Sequence, residues 1–301
     1  MSAKKFYSLG LIGYPLEHSL SPKLHTAALA DTNLDGEYKL YPIPADKYLE
    51  DRLSKILDEV KQGRIVGLNV TIPYKTTVIT HLDGLTDTAD QTGAVNTIFL
   101  DQNKLIGDNT DVSGFLKDLN NFFNSLPDES DPRCLEQRNA LTLGSGGAAR
   151  AVVYGLIREN WQVTLAARKV EKSNVIAHRV NQFLGGWAVK SIKLSVEEIN
   201  SIQHPVHLLV NATSAGMWPD VNSSPWFNER DLPANALVYD LIYNPGVTRL
   251  VKLANQQNLY ATSGLGMLVE QAALAFEKWT GKSPSTEFMR QSIEIEKRGS
   301  K

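Results

Sequence analysis

The sequence predicts an α/β protein of two domains, the first on a mostly parallel sheet and the second a Rossmann dinucleotide-binding fold. Three observations predict it. Short aliphatic or β-branched runs alternate with amphipathic stretches of helical length. The 301 residues leave room for two cores at about 150 residues each. Near the middle of the chain, a glycine-rich turn from Gly144 to Gly147 follows a strand pattern and opens a helix pattern.

Strands are expected at residues 9–12, 38–43, 66–71 and 95–100, with helices at 22–30, 46–61 and 73–81. Pro22 and Pro73 each sit at a helix start, where a missing backbone donor costs least. Phe115, Leu116, Leu119, Phe122 and Phe123 recur at helical spacing and place a helix after Asp111. Residues 124–137 are polar, acidic and rich in turn formers, the mark of a surface excursion. Beyond them the alternation resumes, with strands at 140–143, 162–166, 189–194, 207–211 and 236–242 and helices at 147–159 and 172–184. Leu268, Val269, Ala272, Ala273, Phe276 and Trp279 form an apolar stripe on a helix starting after a Gly264–Gly266 break. Residues 284–297, with Phe288 and Ile293 among Glu287, Arg290, Glu294, Glu296 and Lys297, read as a solvated helix. The expected division is 1–113, completed by 264–301, and 114–263.

Composition narrows the function. Thirty-one Lys and Arg against 33 Asp and Glu supply no basic excess for nucleic acid. The single cysteine, Cys134, cannot form an intrachain disulfide, and no Cys/His spacing suggests a metal site. The apolar run near the amino terminus is broken by Gly13 and Pro15, too short for a signal peptide, and no stretch approaches the ~20 apolar residues of a membrane span. A soluble, cytoplasmic protein acting on a small molecule, as a monomer or homodimer, is the expectation.

The glycine turn has the chemistry of a pyrophosphate site. Gly144 permits the tight turn and Gly146 lets backbone approach phosphate. The small Ala149 allows close helix–strand packing, and the N–H groups from Ser145 through Gly147 and Ala148 stand at a helix's positive end. The next strand ends Ala166, Ala167, Arg168 without the acid that accepts from an NAD ribose. Arg168, with Lys169 or Lys172 nearby, suits a 2′-phosphate instead, so NADP is the expected cofactor.

Three polar clusters interrupt the apolar pattern of the first half. Ser19 and Ser21 precede a helix start, where hydroxyls cap the helix or bind a carboxylate. Asn69, Thr71 and Lys75 follow an apolar strand at its carboxyl end, where α/β sheets bind ligands. Residues 93–97 and 107–111 add Asn96, Asn109 and Asp111.

With these clusters in place the chain resembles the shikimate dehydrogenase family over nearly its whole length. The motifs are 18–22, 69–75, 93–97, 107–111, 144–147, 211–217, 240–245 and 264–271. The resemblance implies two α/β domains flanking a cleft and NADPH-dependent, reversible reduction of 3-dehydroshikimate to shikimate, a step toward aromatic amino acids. It implies Lys75 and Asp111 as the catalytic pair, and Ser19, Ser21 and Tyr243 as holders of the substrate carboxylate. Thr71, Asn96 and Gln271 would bind ring hydroxyls, and Thr213, Gly264 and Met267 would join the glycine loop at the cofactor. Thr26 and Ala167 stand where the family commonly has asparagine. Two rival readings are a quinate/shikimate dehydrogenase using NAD and a non-catalytic metabolite sensor on the same fold.

Overall fold

A computed structural model describes residues 5–184, 186, 188–227 and 230–299, with side chains apart from residue 184 and those beyond 293. In chain order the elements are β1 (Phe6–Gly13), α1 (Ser21–Asp31), β2 (Asp35–Pro42), α2 (Leu49–Lys61), β3 (Gly67–Val70), β4 (Gly84–Leu85), α3 (Asp87–Thr92), β5 (Thr97–Asp101), β6 (Lys104–Asp108) and α4 (Thr110–Asn124). There follow β7 (Arg138–Leu143), α5 (Gly147–Arg158), β8 (Trp161–Ala167), α6 (Val170–Leu184), β9 (Val189–Lys193), α7 (Val196–Asn200), β10 (Leu208–Asn211) and β11 (Leu237–Asp240). The last are α8 (Arg249–Gln256), β12 (Ala261–Ser263), α9 (Leu265–Thr280) and α10 (Thr286–Gly299). Two compact units result: Met1–Thr110 with Val269–Lys301, and Asp111–Leu268.

The first unit holds a sheet in the order β2-β1-β3-β5-β6-β4. Only β5 is reversed, antiparallel to both β3 and β6, while β1 runs parallel to β2 and β3 and β4 parallel to β6. The reversal sets the amino end of β5 beside the carboxyl ends of its neighbours, so Asn69 pairs with Thr97 and Thr97 with Asp108. One face is covered by α2, whose Leu53, Leu57 and Val60 share a core with Leu68, Val70, Ile98 and Leu105. At that helical spacing the three side chains lie on one stripe. From α9, Trp279 donates its indole N–H to the Ile98 carbonyl at 3.1 Å. Its ring fills the space over Gly67, where a Cβ would stand 2.0 Å from the indole nitrogen.

The second unit holds a wholly parallel sheet in the order β12-β11-β10-β7-β8-β9. Counted from β7, this is the 3-2-1-4-5-6 order of dinucleotide-binding folds, with the switch of direction between β7 and β10. Both faces are apolar: Val152, Leu156, Ile176 and Val180 pack on one, Trp226, Leu250 and Ala254 on the other.

Several elements differ from expectation. Residues 73–81 form no α-helix but a turn and a short 3₁₀ stretch at Thr77–His81, because Thr76, Thr77, Val78, Ile79 and Thr80 are all β-branched and poor helix formers. The helix expected from residue 46 starts at Leu49, since Asp46 accepts from the Tyr48 N–H at 2.9 Å and holds a turn there. Residues 124–137 carry two 3₁₀ turns, Asp128–Ser130 and Pro132–Cys134. The helix expected after the Gly264–Gly266 break starts inside it, at Leu265. Nor is α10 wholly solvated: it packs on α1 and buries Met289 and Ile293, while Phe288 is exposed. Of its charged residues, Glu294, Glu296 and Lys297 lie outside the described side chains. Among the described residues, no helix is long and apolar enough to cross a membrane.

Candidate functional site

In the first unit, polar side chains gather along the edge where β1, β3 and β6 end and β5 begins. Asn96 is their hub. Its amide nitrogen donates to Thr110 Oγ1 at 2.9 Å and to Gln271 Oε1 at 3.3 Å. Its amide oxygen accepts from the Thr110 N–H at 2.8 Å and from Thr97 Oγ1 at 3.0 Å. Thr110 in turn donates to the Gln271 carbonyl at 3.1 Å, tying the second turn of α9 to the start of α4. Asn96, Thr97, Thr110 and Gln271 are all buried, and buried polar groups persist only when paired in this way.

Lys75 and Thr71 hang from the same frame. The Lys75 carbonyl accepts from the Val95 N–H at 2.7 Å, one residue before Asn96. The Thr71 N–H donates to the Ile12 carbonyl at 2.9 Å, fixing it beside the end of β1. Asp111 is buried in the first turn of α4, inside the helix rather than at its cap and one residue after Thr110. Its neighbour Asp108 is committed elsewhere: Thr86 donates to it and Lys278 pairs with it at 2.9 Å. Ser21 opens α1, and its N–H donates to Ser19 Oγ at 3.3 Å. Neither hydroxyl caps α1, whose N-cap, Leu20, makes no side-chain cap bond.

Sequence reasoning missed the support behind these groups. Buried Tyr38 donates to Asn69 Oδ1 at 2.8 Å and is hydrogen-bonded to Ser21, and Asn69 donates to the Asn96 carbonyl at 3.2 Å. His25 stacks on Tyr38 at 4.2 Å between ring centres, 2° from parallel. Burial pushes the His25 pKa down to about 3, so it is a neutral packing group. Burial also raises the Tyr38 hydroxyl well above its usual value, keeping it a donor. The visible signal was an Asn before Thr71 at the strand end; nothing in the pattern singled out Tyr38.

In the second unit the glycine turn joins β7 to α5 at the switch point. Gly144 has φ +119°, and a Cβ there would lie 2.8 Å from the Ala212 carbonyl oxygen. At Gly146 a Cβ would meet nothing within 4 Å. The fold therefore requires the first glycine, while the second leaves open room over the helix start, as an approaching pyrophosphate needs. Ser145, Gly147 and Ala148 are partly exposed and Ala149 is fully buried. The Gly144 N–H donates to the Ala166 carbonyl at 2.9 Å, setting this turn beside the end of β8. Arg168 and Lys172 follow, both exposed and with no acid between Ala166 and Val170. The residues present thus fit an NADP phosphate set.

Across the switch point, Thr213 donates through both its N–H and its hydroxyl to Asn211 Oδ1, at 2.9 and 2.7 Å. Tyr243 lies in the loop after β11, and burial raises its hydroxyl above the usual value. Gly264 meets that loop directly, since a Cβ on it would lie 2.1 Å from the Leu241 carbonyl oxygen. Met267 is buried within the apolar core of this unit. Trp226, in the loop between β10 and β11, is also core, donating its indole N–H to the Asp231 carbonyl at 3.2 Å.

Known proteins share this architecture. The model of the shikimate dehydrogenase substrate binding domain matches residues 11–98, and that of the shikimate 5′-dehydrogenase C-terminal domain matches residues 264–294. A curated relative from Methanococcus vannielii, named shikimate dehydrogenase (NADP(+)), is 33% identical over 97% of this chain and 98% of its own length. A crystal structure of shikimate dehydrogenase in complex with NADP+ is 34% identical with TM-score 0.84, covering 97% of this chain and 96% of that one. Quinate dehydrogenase from Corynebacterium glutamicum in complex with NAD is 28% identical with TM-score 0.83, covering 97% of this chain and 100% of that one. With an identity above the level at which fold alone is shared, sustained from end to end, the chain belongs to the shikimate dehydrogenase family.

Proposed function

We propose that this chain is an NADP-dependent shikimate dehydrogenase, reducing 3-dehydroshikimate reversibly to shikimate on the route to aromatic amino acids. The observation that carries the reading is the buried network of Asn96, Thr110 and Gln271, which collects three distant stretches of chain along the edge that also bears Thr71 and Lys75. Such an array of amides and hydroxyls suits a small polyhydroxylated ring. The first unit serves the substrate and the second the cofactor.

Reduced NADP, when bound, supplies the hydride. Its pyrophosphate would fall to the N–H groups from Ser145 to Ala148, since that of Gly144 is spent on the Ala166 carbonyl, and its 2′-phosphate to Arg168 and Lys172, with Thr213, Gly264 and Met267 as further cofactor residues. Ser19, Ser21 and Tyr243 hold the substrate carboxylate, while Thr71, Asn96 and Gln271 hold its hydroxyls. Lys75 delivers a proton to the oxygen of the carbon being reduced, and Asp111 orients that oxygen and the lysine. A positioned acid of this kind is worth about 10²–10⁴-fold in rate. In the reverse direction the same pair removes the hydroxyl proton. The single cysteine fits a reducing, cytoplasmic setting.

Similarity to a quinate dehydrogenase that binds NAD makes oxidation of quinate the alternative. The strand end at Ala167 and Arg168 favours NADP, because no carboxylate stands there to accept from the ribose hydroxyls. Initial rates with shikimate and quinate, each with NADP and NAD, decide between them. Fastest turnover of shikimate with NADP is expected; a clear preference for quinate with NAD overturns the reading.

A further inference from the structure

Asp240, at the end of β11, is fully buried, and the three groups that donate to it are all neutral. Its Oδ1 accepts from Asn211 Nδ2 at 2.8 Å and from the Ile242 N–H at 3.1 Å. Its Oδ2 accepts from the Thr248 hydroxyl at 2.6 Å, and Thr248 caps α8 by accepting from the Val251 N–H at 3.2 Å. A buried carboxylate is costly unless donors satisfy it, and an aliphatic residue would serve the core at less cost. Its placement offers a reason for keeping it.

Each bond to Oδ1 leads to a different loop. The Asn211 side chain that donates to Asp240 also accepts twice from Thr213, so one amide links the carboxylate to the loop after β10. The Ile242 N–H belongs to the loop after β11, one residue before Tyr243, and the Ile242 carbonyl accepts from the Gly264 N–H at 3.2 Å. The two loops also touch directly, through Leu241 N–H to the Asn211 carbonyl at 3.0 Å.

We infer that Asp240 is a positioning residue that sets two binding loops from one oxygen: through Asn211 the cofactor loop at Thr213, and through Ile242 the substrate-carboxylate residue Tyr243. This rests on the roles proposed above for Thr213 and Tyr243. A residue acting in only one loop would affect one ligand; a common anchor affects both.

The test uses the full-length protein with Asp240→Ala and Asp240→Asn, reading the Kd for NADPH by fluorescence and the KM for 3-dehydroshikimate at saturating NADPH. Asp240→Ala removes the shared acceptor and is expected to raise both constants about tenfold, the scale of one lost hydrogen bond. In Asp240→Asn an amide oxygen can take the Oδ1 place and accept from both Asn211 and Ile242, so both constants are expected to recover to within about threefold of the parent. If the alanine variant leaves either constant unchanged, or the asparagine variant recovers neither, the inference fails. Should Asp240→Ala not fold, Asn211→Ala decides: it cuts only the cofactor arm, so NADPH binding weakens while the KM stays within about twofold of the parent. Equal loss of both overturns the two-arm assignment. A parent protein that binds NADPH but does not turn over 3-dehydroshikimate sinks the functional reading instead, and the NADPH arm of the test still reports on Asp240.

Discussion

Replacing Asp240 with asparagine should change how stability responds to pH, in a direction opposite to that of most carboxylates. Burial pushes the Asp240 pKa from 3.8 up to about 6, against the pull of its bonds from Thr248, Ile242 and Asn211. The folded chain therefore holds this proton more tightly than the unfolded chain does. The stabilising contribution is complete below the unfolded value and disappears as pH rises through about 6. At 1.36 kcal/mol for each tenfold change in acidity, the interval from 3.8 to about 6 is worth on the order of 3 kcal/mol, of which about 2 kcal/mol falls between pH 4.5 and pH 8. Asparagine has nearly the shape of the protonated acid and does not titrate. Relative to the parent, Asp240→Asn should thus gain about 2 kcal/mol between those pH values, or about 4–8 °C in Tm for a unit of this size. Urea or thermal unfolding of both proteins at the two pH values measures it, and taking the difference cancels every other titrating group. A gap between parent and variant that is the same at both pH values would refute the placement of an ionised carboxylate in this core.

Other substitutions probe the rest of the site. Lys75→Ala should cut kcat by about 10²-fold or more with little change in KM, as for a group needed in the transition state; an unchanged kcat removes its role. Ser19→Ala should mainly raise the KM for shikimate, and a carboxylate-free analogue should not feel the change. Arg168→Ala should weaken NADP about tenfold or more and leave NAD nearly untouched, consistent with loss of a bidentate phosphate contact; equal losses for the two cofactors would count against the 2′-phosphate assignment. Gly146→Ala should lose NADPH affinity at almost no cost in Tm, since its Cβ meets only open space, whereas Gly144→Ala should lose both because it is strained at φ +119° and crowds Ala212.

Much of this was legible in the residues themselves because local rules and tertiary context agree. The glycine turn could be read since strand, turn and helix start are contiguous, and the parallel sheets since their strands are short apolar runs bounded by turn formers. What escaped is what neighbouring strands decide. Two-residue β4 and three-residue β12 have too little sequence to show a period. The stretch at 73–81 kept the spacing of a helix but not the propensity. Tyr38 lies on an ordinary strand, and Asn211 and Asp240 open two of the family motifs with no role of their own; the importance of all three comes from what stands beside them across the sheet. No spacing along one strand carries that information.

The first unit is assembled from two separate lengths of chain, with the second unit between them. During synthesis, then, the sheet that carries Lys75 must wait. Its Gly67 face lacks the Trp279 ring, α1 lacks the cover of α10, and Asn96 lacks Gln271 until the final stretch emerges. The nucleotide-binding half, whose strands all precede that stretch, has its whole sheet available earlier, so a nascent chain would acquire its cofactor fold before its catalytic one.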